Sequence, residues 1–137
     1  MKFDELIIGK SAEYSKLVSD SDVMKFAEIT GDFNPVHVDE VAASKSRFGG
    51  RIAHGMLSAG IVSAAIANEL PGPGSIYLGQ TLKFTLPVRI GDTITVSLAV
   101  IEILSKRRVK LSTLCANQKG EKVLEGEATV MLDEANG

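Results

Sequence analysis

The chain has 137 residues, of which 45% are hydrophobic and 23% charged, a composition that fits one globular domain and excludes an intrinsically disordered chain. Fifteen Lys and Arg residues against 17 Asp and Glu give a net charge of −2, which is not the basic balance of a nucleic-acid-binding protein. The single cysteine, Cys115, excludes a disulfide framework and a thiolate-rich metal site, and it is expected to be a core thiol. We therefore expect a single domain over residues 1–137.

The first residues carry two acids and no apolar signal segment. The best candidate for a membrane span, the uncharged stretch 52–68, is shorter and more polar than the roughly 20 apolar residues that a span needs. We expect a cytoplasmic protein with no membrane partner.

Three helices are predicted in the first half of the chain, after a short strand at residues 14–18. The first begins behind the N-cap candidate Ser19 and ends at Gly31, with apolar residues at helical spacing between them. The second runs from residue 39 to about residue 45. The third covers residues 54–70 and is small and apolar on every side, which is typical of a buried helix.

From residue 75 onward the hydrophobic period changes from helical spacing to alternation. Four alternating segments follow one another, joined by short turns, at residues 75–86, 93–100, 109–116 and 123–132. These predict an antiparallel sheet after a long buried helix, which is an α+β fold.

The candidate acid–base residues lie between the first two predicted helices. Pro35 forces a turn here, and a turn can bring Asp32 and His37 to one side. A carboxylate beside an imidazole can hold and polarise a water molecule. On spacing alone, a commoner arrangement is that Asp32 caps the second helix and that His37 is a polar loop residue without a catalytic role.

A second candidate is the start of the long helix, where Gly55 follows His54. The N–H groups of a helix N-terminus have no partners within the helix, and glycine lets a ligand approach the backbone, so an oxyanion could be stabilised there. Glycine chosen only for close packing explains the same pattern. The basic segment 106–110 is more typical of a solvated hairpin than of an anion site. The common hydrolase, nucleotide and metal motifs are absent from the sequence.

Three segments together carry a family resemblance. Residues 26–39 read FAEITGDFNPVHVD and look like the hydratase motif of the MaoC-like (R)-specific enoyl-CoA hydratases. Residues 51–56, RIAHGM, resemble the start of that family's central helix, and residues 74–87, GSIYLGQTLKFTLP, the strand after it. The resemblance covers essentially the whole chain and is greatest to the short hydratases that feed polyhydroxyalkanoate synthesis.

The resemblance implies a hot-dog fold, in which an antiparallel sheet wraps around one long helix, and a homodimer. It also implies reversible syn addition of water to a trans-2-enoyl-CoA, giving an (R)-3-hydroxyacyl-CoA, with no metal and no cofactor. Asp32 and His37 take the catalytic roles and the Gly55 N–H the oxyanion role. A free aspartate is a weak base, so Asp32 must be desolvated or act together with His37.

The resemblance also directs attention to the acyl chain. One face of the long helix carries Gly55, Ala59, Ser63 and Ile66. We expect a preference for short to medium acyl chains, because Ser63 and Ile66 block longer ones. Val130 is expected to form the opposite wall and Asn34 to bind substrate. Ordinary core packing explains the same spacing.

Three other functions remain as alternatives: a 3-hydroxyacyl-ACP dehydratase, a hot-dog acyl-CoA thioesterase and a non-catalytic acyl-CoA-binding module. A thioesterase would release free thiol, whereas a binding module would need neither Asp32 nor His37.

Overall fold

A computed structural model describes residues 1–133, and the last four residues of the predicted domain, 134–137, lie outside the described part. The helices are α1 (Asp20–Thr30), α2 (Pro35–Val38), α3 (Glu40–Ser44) and α4 (Gly55–Asn68). The strands are β1 (Ser11–Leu17), β2 (Ser75–Gln80), β3 (Lys83–Phe84), β4 (Thr93–Leu104), β5 (Arg108–Ala116) and β6 (Lys122–Leu132).

The ends of α1 are those that the sequence predicts. Ser19 and Asp22 form a capping box, in which the Ser19 side chain accepts from the Asp22 N–H and the Asp22 carboxylate accepts from the Ser19 N–H. At the other end Gly31 adopts a left-handed conformation with φ 82° and donates its N–H to the carbonyl of Ala27. The C-cap residue Gly31 therefore directly precedes Asp32.

The six strands form one antiparallel sheet in the order β1-β4-β5-β6-β2, and β3 pairs with β6 beside β2. Inward-facing residues alternate along β4, where Ile94, Val96 and Leu98 are fully buried. In register with Val96 lies Cys115 of β5, whose burial raises the pKa of its thiol to about 12. The predicted core thiol is confirmed.

The long helix α4 packs against the sheet and contacts β1, β2, β4 and β5. Its buried face carries Ile61, Val62, Ala65 and Ile66, which join the sheet residues in one hydrophobic core. This is the predicted α+β architecture, a sheet wrapped around one long central helix.

One predicted strand is divided in two. The alternating segment 75–86 breaks after β2, where the Thr81 hydroxyl accepts from the Glu127 N–H and the Gln80 amide donates to the Thr81 carbonyl. At this point the Thr81 backbone lies against Gly126 of β6. A β-carbon added to Gly126 would be only 1.8 Å from the Thr81 carbonyl oxygen. The chain bends around this contact, which alternation of side chains does not reveal.

The basic segment 106–110 begins in the turn between β4 and β5 and continues into β5. Lys106 and Arg107 both have φ 59°, and the Arg107 guanidinium donates to the carbonyl of Leu132 and lies over the ring of Phe3. Lys110 lies near Glu102 and Glu127, so much of this charge interacts within the chain. In the described part of the chain, no helix combines the length and the apolar character that crossing a bilayer requires.

Candidate active site

Asp32 follows the left-handed residue that ends α1. Its N–H donates to the Thr30 hydroxyl at 3.2 Å, and its carboxylate Oδ1 accepts from the Asn34 N–H at 3.2 Å. Both bonds fix the backbone around Asp32, and the side chain remains exposed within this chain. The carboxylate therefore has free lone pairs for another partner.

The predicted turn around Pro35 contains a one-turn helix, α2, and the expectation that His37 lies in a loop is wrong. Asn34 caps this helix by accepting from the Val36 N–H, and Pro35 occupies its first position, where a missing N–H costs nothing. His37 lies on α2 with only 9% of its surface exposed. The cap and the proline are local signals in the sequence, but a helix of four residues is too short to show a period.

The buried His37 is anchored to the backbone. Its Nδ1 lies 2.8 Å from the carbonyl oxygen of Ile52. Because a carbonyl oxygen can only accept, Nδ1 carries the proton, and the Nε2 of the neutral ring is an acceptor. The Arg51 Nε donates to the main-chain carbonyl of His37 at 2.6 Å, and the guanidinium forms an ion pair with Asp20. The His37 backbone and ring are thus both held.

Asp32, His37 and His54 form one cluster. One polar side-chain atom of each residue lies within 4.8 Å of the corresponding atoms of the other two. The rings of His37 and His54 stack with their centroids 3.9 Å apart and 29° between their planes. The structure therefore brings together the predicted pair Asp32 and His37, and it adds His54, for which the sequence alone predicts no role.

A carboxylate and two imidazoles at this distance could suit a divalent cation, so the geometry of the rings decides. A histidine binds a metal in its ring plane at about 2.0–2.1 Å from the nitrogen. The rings of His37 and His54 stack with only 29° between their planes, so an ion placed in the plane of one ring near its nitrogen lies outside the plane of the other. The cluster fits acid–base chemistry better than metal binding.

A cleft of ≈ 460 Å³ opens next to this cluster. His37 and Gly55 line it together with the side chains of Ser58 and Phe84. Gly55 is the first residue of α4, so its N–H is one of the four that have no partner within the helix. The imidazole and a backbone donor of α4 thus border the same space.

A second cleft of ≈ 650 Å³ lies on the other side of the α4 N-terminus and is open to solvent. Met56 contributes to both clefts, while Tyr77 and Leu78 of β2 line only the second. The second cleft is mainly apolar.

The predicted acyl-wall residues lie deeper in the molecule. Ile66 and Val130 are fully buried in the core, and Ser63 is half-buried on α4. None of the three lines either of the two clefts described above. Their contact with an acyl chain stays a prediction, as does substrate binding by Asn34, whose side-chain oxygen caps α2.

Comparison with known proteins gives consistent matches. A family model described as a MaoC-like domain matches residues 7–123. The chain is similar to a 3-hydroxybutyryl-CoA dehydratase from Methylorubrum extorquens, at 47% identity over 129 residues that span 93% of this chain and 82% of that protein. It is similar to an (R)-specific enoyl-CoA hydratase from Rhodospirillum rubrum, at 47% identity over 131 residues that span 95% of this chain and 90% of that protein. Among solved structures, the unliganded R-hydratase PhaJ1 from Pseudomonas aeruginosa superposes with a TM-score of 0.92 at 51% identity, covering 96% of this chain and 85% of that one.

Proposed function

The chain belongs to the MaoC-like domain family, and on that premise we propose that it is an (R)-specific enoyl-CoA hydratase. It is a hydro-lyase with the hot-dog fold that adds water reversibly to a trans-2-enoyl-CoA and forms an (R)-3-hydroxyacyl-CoA. The observation that carries this function is the cluster of Asp32 with the imidazole of His37 at a cleft that the N-terminus of α4 borders.

The cluster suits the reaction because hydration needs a proton to leave water and a proton to reach C2. The Asp32 carboxylate and the unprotonated Nε2 of His37 can hold a water molecule between them. Both accept from this water and so polarise it for attack on C3. The C3–O bond forms, the π electrons move toward the thioester oxygen, and the pair that took the proton delivers one to C2. Because both transfers use the same residues, water adds to one face, which is syn addition.

Negative charge develops on the thioester oxygen during the attack. The N–H of Gly55 is the donor we assign to that oxygen, since it is unpaired within α4 and borders the same cleft as His37. A donor of this kind contributes about 3 kcal/mol of transition-state stabilisation. No metal or redox cofactor has a part in this sequence of steps.

The test is hydration of crotonyl-CoA by the purified protein, followed as loss of enoyl-thioester absorbance. A thiol-trapping reagent in a parallel sample detects free CoA, which a thioesterase would release and a hydratase would not. An (S)-specific 3-hydroxyacyl-CoA dehydrogenase added to the hydration reaction should produce no NADH. Unchanged absorbance with wild-type protein, free thiol, or strong NADH production would each contradict the proposed function. Crotonyl thioester on acyl carrier protein, used at the same concentration, separates the hydratase from the ACP dehydratase.

We also propose that the enzyme is a homodimer joined through β2. This edge strand exposes Ile76 and Tyr77 at 38% each and Leu78 at 49%, and it borders the mainly apolar second cleft. The opposite edge, β1, carries the charged residues Glu13 and Lys16, which discourage strand pairing. The exposed apolar edge supports the proposal that a second copy of this chain packs against β2.

The cytoplasm is the compartment we assign to this enzyme. The lone thiol of Cys115 is buried, and the fold has no disulfide to maintain.

A further inference from the structure

His54 contacts both members of the proposed catalytic pair. Its Nε2 lies 3.0 Å from the main-chain carbonyl oxygen of Asp32, and its ring stacks on that of His37 at 3.9 Å. Only 2% of its surface is exposed. One buried side chain from the start of α4 therefore contacts both residues of the short segment 32–37.

The hydrogen bond defines the form of the His54 ring. The Asp32 carbonyl can only accept, so Nε2 carries the proton. The Nδ1 of His54 is buried and has no hydrogen-bond partner among the described residues, so an N–H at that atom would be a donor with no acceptor. The neutral Nε2–H tautomer is the form that these surroundings satisfy best.

The position of His54 in the chain adds a third connection. It is the N-cap residue of α4 and directly precedes Gly55, the proposed oxyanion donor. Phe26 of α1 also contacts the His54 ring, with centroids 4.7 Å apart. The ring is thus held by α1, while its backbone begins the helix that supplies the donor.

We propose that His54 is a positioning residue that sets Asp32 and His37 in register with the Gly55 N–H. This role rests on the proposed hydratase function. The Nε2–H bond holds the Asp32 backbone, the stack holds the plane of the His37 ring, and the chain itself holds Gly55. His54 takes no proton from substrate and contacts no reacting atom.

Two substitutions separate the two contacts. His54→Gln keeps an amide N–H close to the place of Nε2 and loses the ring, whereas His54→Phe keeps a ring and loses the donor. His54→Ala removes both. Because a displacement of about 1 Å can cost about 100-fold in rate, we expect kcat to fall by about 100-fold in His54→Ala. The Gln and Phe variants should each recover part of that loss, with KM for crotonyl-CoA close to that of the wild type.

Leu98→Ala is the matched control, since Leu98 is fully buried in β4 and outside the cluster. It should lower the melting temperature while the folded enzyme keeps its kcat. If His54 served stability alone, His54→Ala would behave like Leu98→Ala, with a lower melting temperature and an unchanged kcat. That result, or an equal loss of kcat in all three His54 variants, would overturn the proposal.

A measurement on the wild-type protein needs no variant to fold. Nitrogen-15 NMR of the two imidazoles at neutral pH should show His54 as the Nε2–H tautomer and His37 as the Nδ1–H tautomer. An Nδ1–H tautomer or a charged ring at His54 would overturn the proposed positioning role. If the wild-type protein shows these tautomers but does not hydrate crotonyl-CoA, the proposed function is refuted. The contacts of His54 with Asp32 and His37 would then have no catalytic role.

Discussion

The backbone of Gly55 lies against the ring of Phe84, and a β-carbon added to Gly55 would be only 2.8 Å from the Phe84 Cε1 atom. Phe84 is half-exposed and lines the same cleft as His37, so its ring has room to move away from an added methyl group. Such a movement changes the shape of the cleft and leaves the core intact. We therefore expect glycine at this position to serve the shape of the cleft more than the stability of the fold.

Gly55→Ala should therefore reduce activity more than stability. Alanine favours a helix over glycine by about 1 kcal/mol, which offsets part of the cost of moving the ring. We expect an unfolding free energy within about 1 kcal/mol of the wild type and kcat/KM lower by about tenfold, equivalent to about 1.4 kcal/mol. Steady-state kinetics and thermal unfolding measure the two effects. Gly60→Ala on the same helix is the control, because among the described residues no atom outside its own stretch of helix lies within 4 Å of the added carbon. Full activity in Gly55→Ala would contradict the role of this close approach.

Asp32→Asn and His37→Ala should each remove most of the hydration activity. Loss of a general acid–base group costs about 10²–10⁴ in rate. Asp32→Asn should keep its fold, since Asp32 is exposed and an amide oxygen can still accept from the Asn34 N–H. His37→Ala should also lower stability, because it leaves the Ile52 carbonyl without its partner. Circular dichroism and turnover are measured on the same samples. Near-wild-type rates in either folded variant would contradict the assignment of the pair.

Smaller side chains on α4 should shift the preference toward longer acyl chains if the predicted wall is correct. Ser63→Gly and Ile66→Val are the mildest truncations, and the second costs about 0.5–1.5 kcal/mol of stability in a core. Each methylene admitted to an apolar pocket is worth up to about 1 kcal/mol, so kcat/KM for eight-carbon substrates relative to crotonyl-CoA should rise several-fold. An unchanged chain-length profile in both folded variants would direct the tail instead toward Val123, which lines the cleft beside His37.

The stability of the protein should fall in acid partly through Asp22. Its carboxylate accepts from the Ser19 N–H and from the Lys16 ammonium, which hold the pKa of Asp22 at about 2 against an ordinary value of 3.8. Since the unfolded chain binds the proton more readily, this contribution is complete above the ordinary pKa and is lost as the pH falls toward 2. Urea unfolding of wild type and Asp22→Asn at pH 6 and at about pH 3 should show a smaller pH dependence in the variant. An equal dependence in both proteins would mean that Asp22 is not involved.

The dimer should depend on β2 and not on β1. Light scattering of the wild type should give twice the chain mass of 14.6 kDa at micromolar concentration. Leu78→Lys places a charge on the exposed edge of β2 and should shift the mass to that of one chain, whereas Glu13→Lys on β1 should leave it unchanged. A wild-type protein with the mass of one chain would refute the dimer, and dissociation by Glu13→Lys alone would assign it to the other edge.

Much of the fold could be predicted from local signals. Ser19 and Gly31 mark the ends of α1, and Asp39 caps α3 through the N–H groups of Val41 and Ala42. The division of the strand at Thr81 could not be predicted, because it arises from a contact with Gly126 on a strand that lies far along the chain. Alternation of polar and apolar residues indicates which residues share a face of a strand. It does not indicate where the backbones of two strands come into close contact.

The site was predictable only in part, because some of its contacts are local and others are tertiary. Asp32 and His37 come from one short motif, so their proximity follows from local geometry. His54 lies 22 residues beyond Asp32 along the chain, and its hydrogen bond to the Asp32 carbonyl is a tertiary contact. The one sequence signal was that the chain holds only two histidines and that the second begins the buried helix.

Both imidazoles of the cluster are anchored to main-chain carbonyl groups, those of Ile52 and Asp32, and not to side chains. Every amino acid carries such a carbonyl, so the side chain at position 52 can change without taking away the acceptor of His37. Mutational drift around the cleft can then alter its lining while the acid–base geometry is inherited unchanged. A site built in this way allows substrate preference to diverge in evolution ahead of any change in the chemistry.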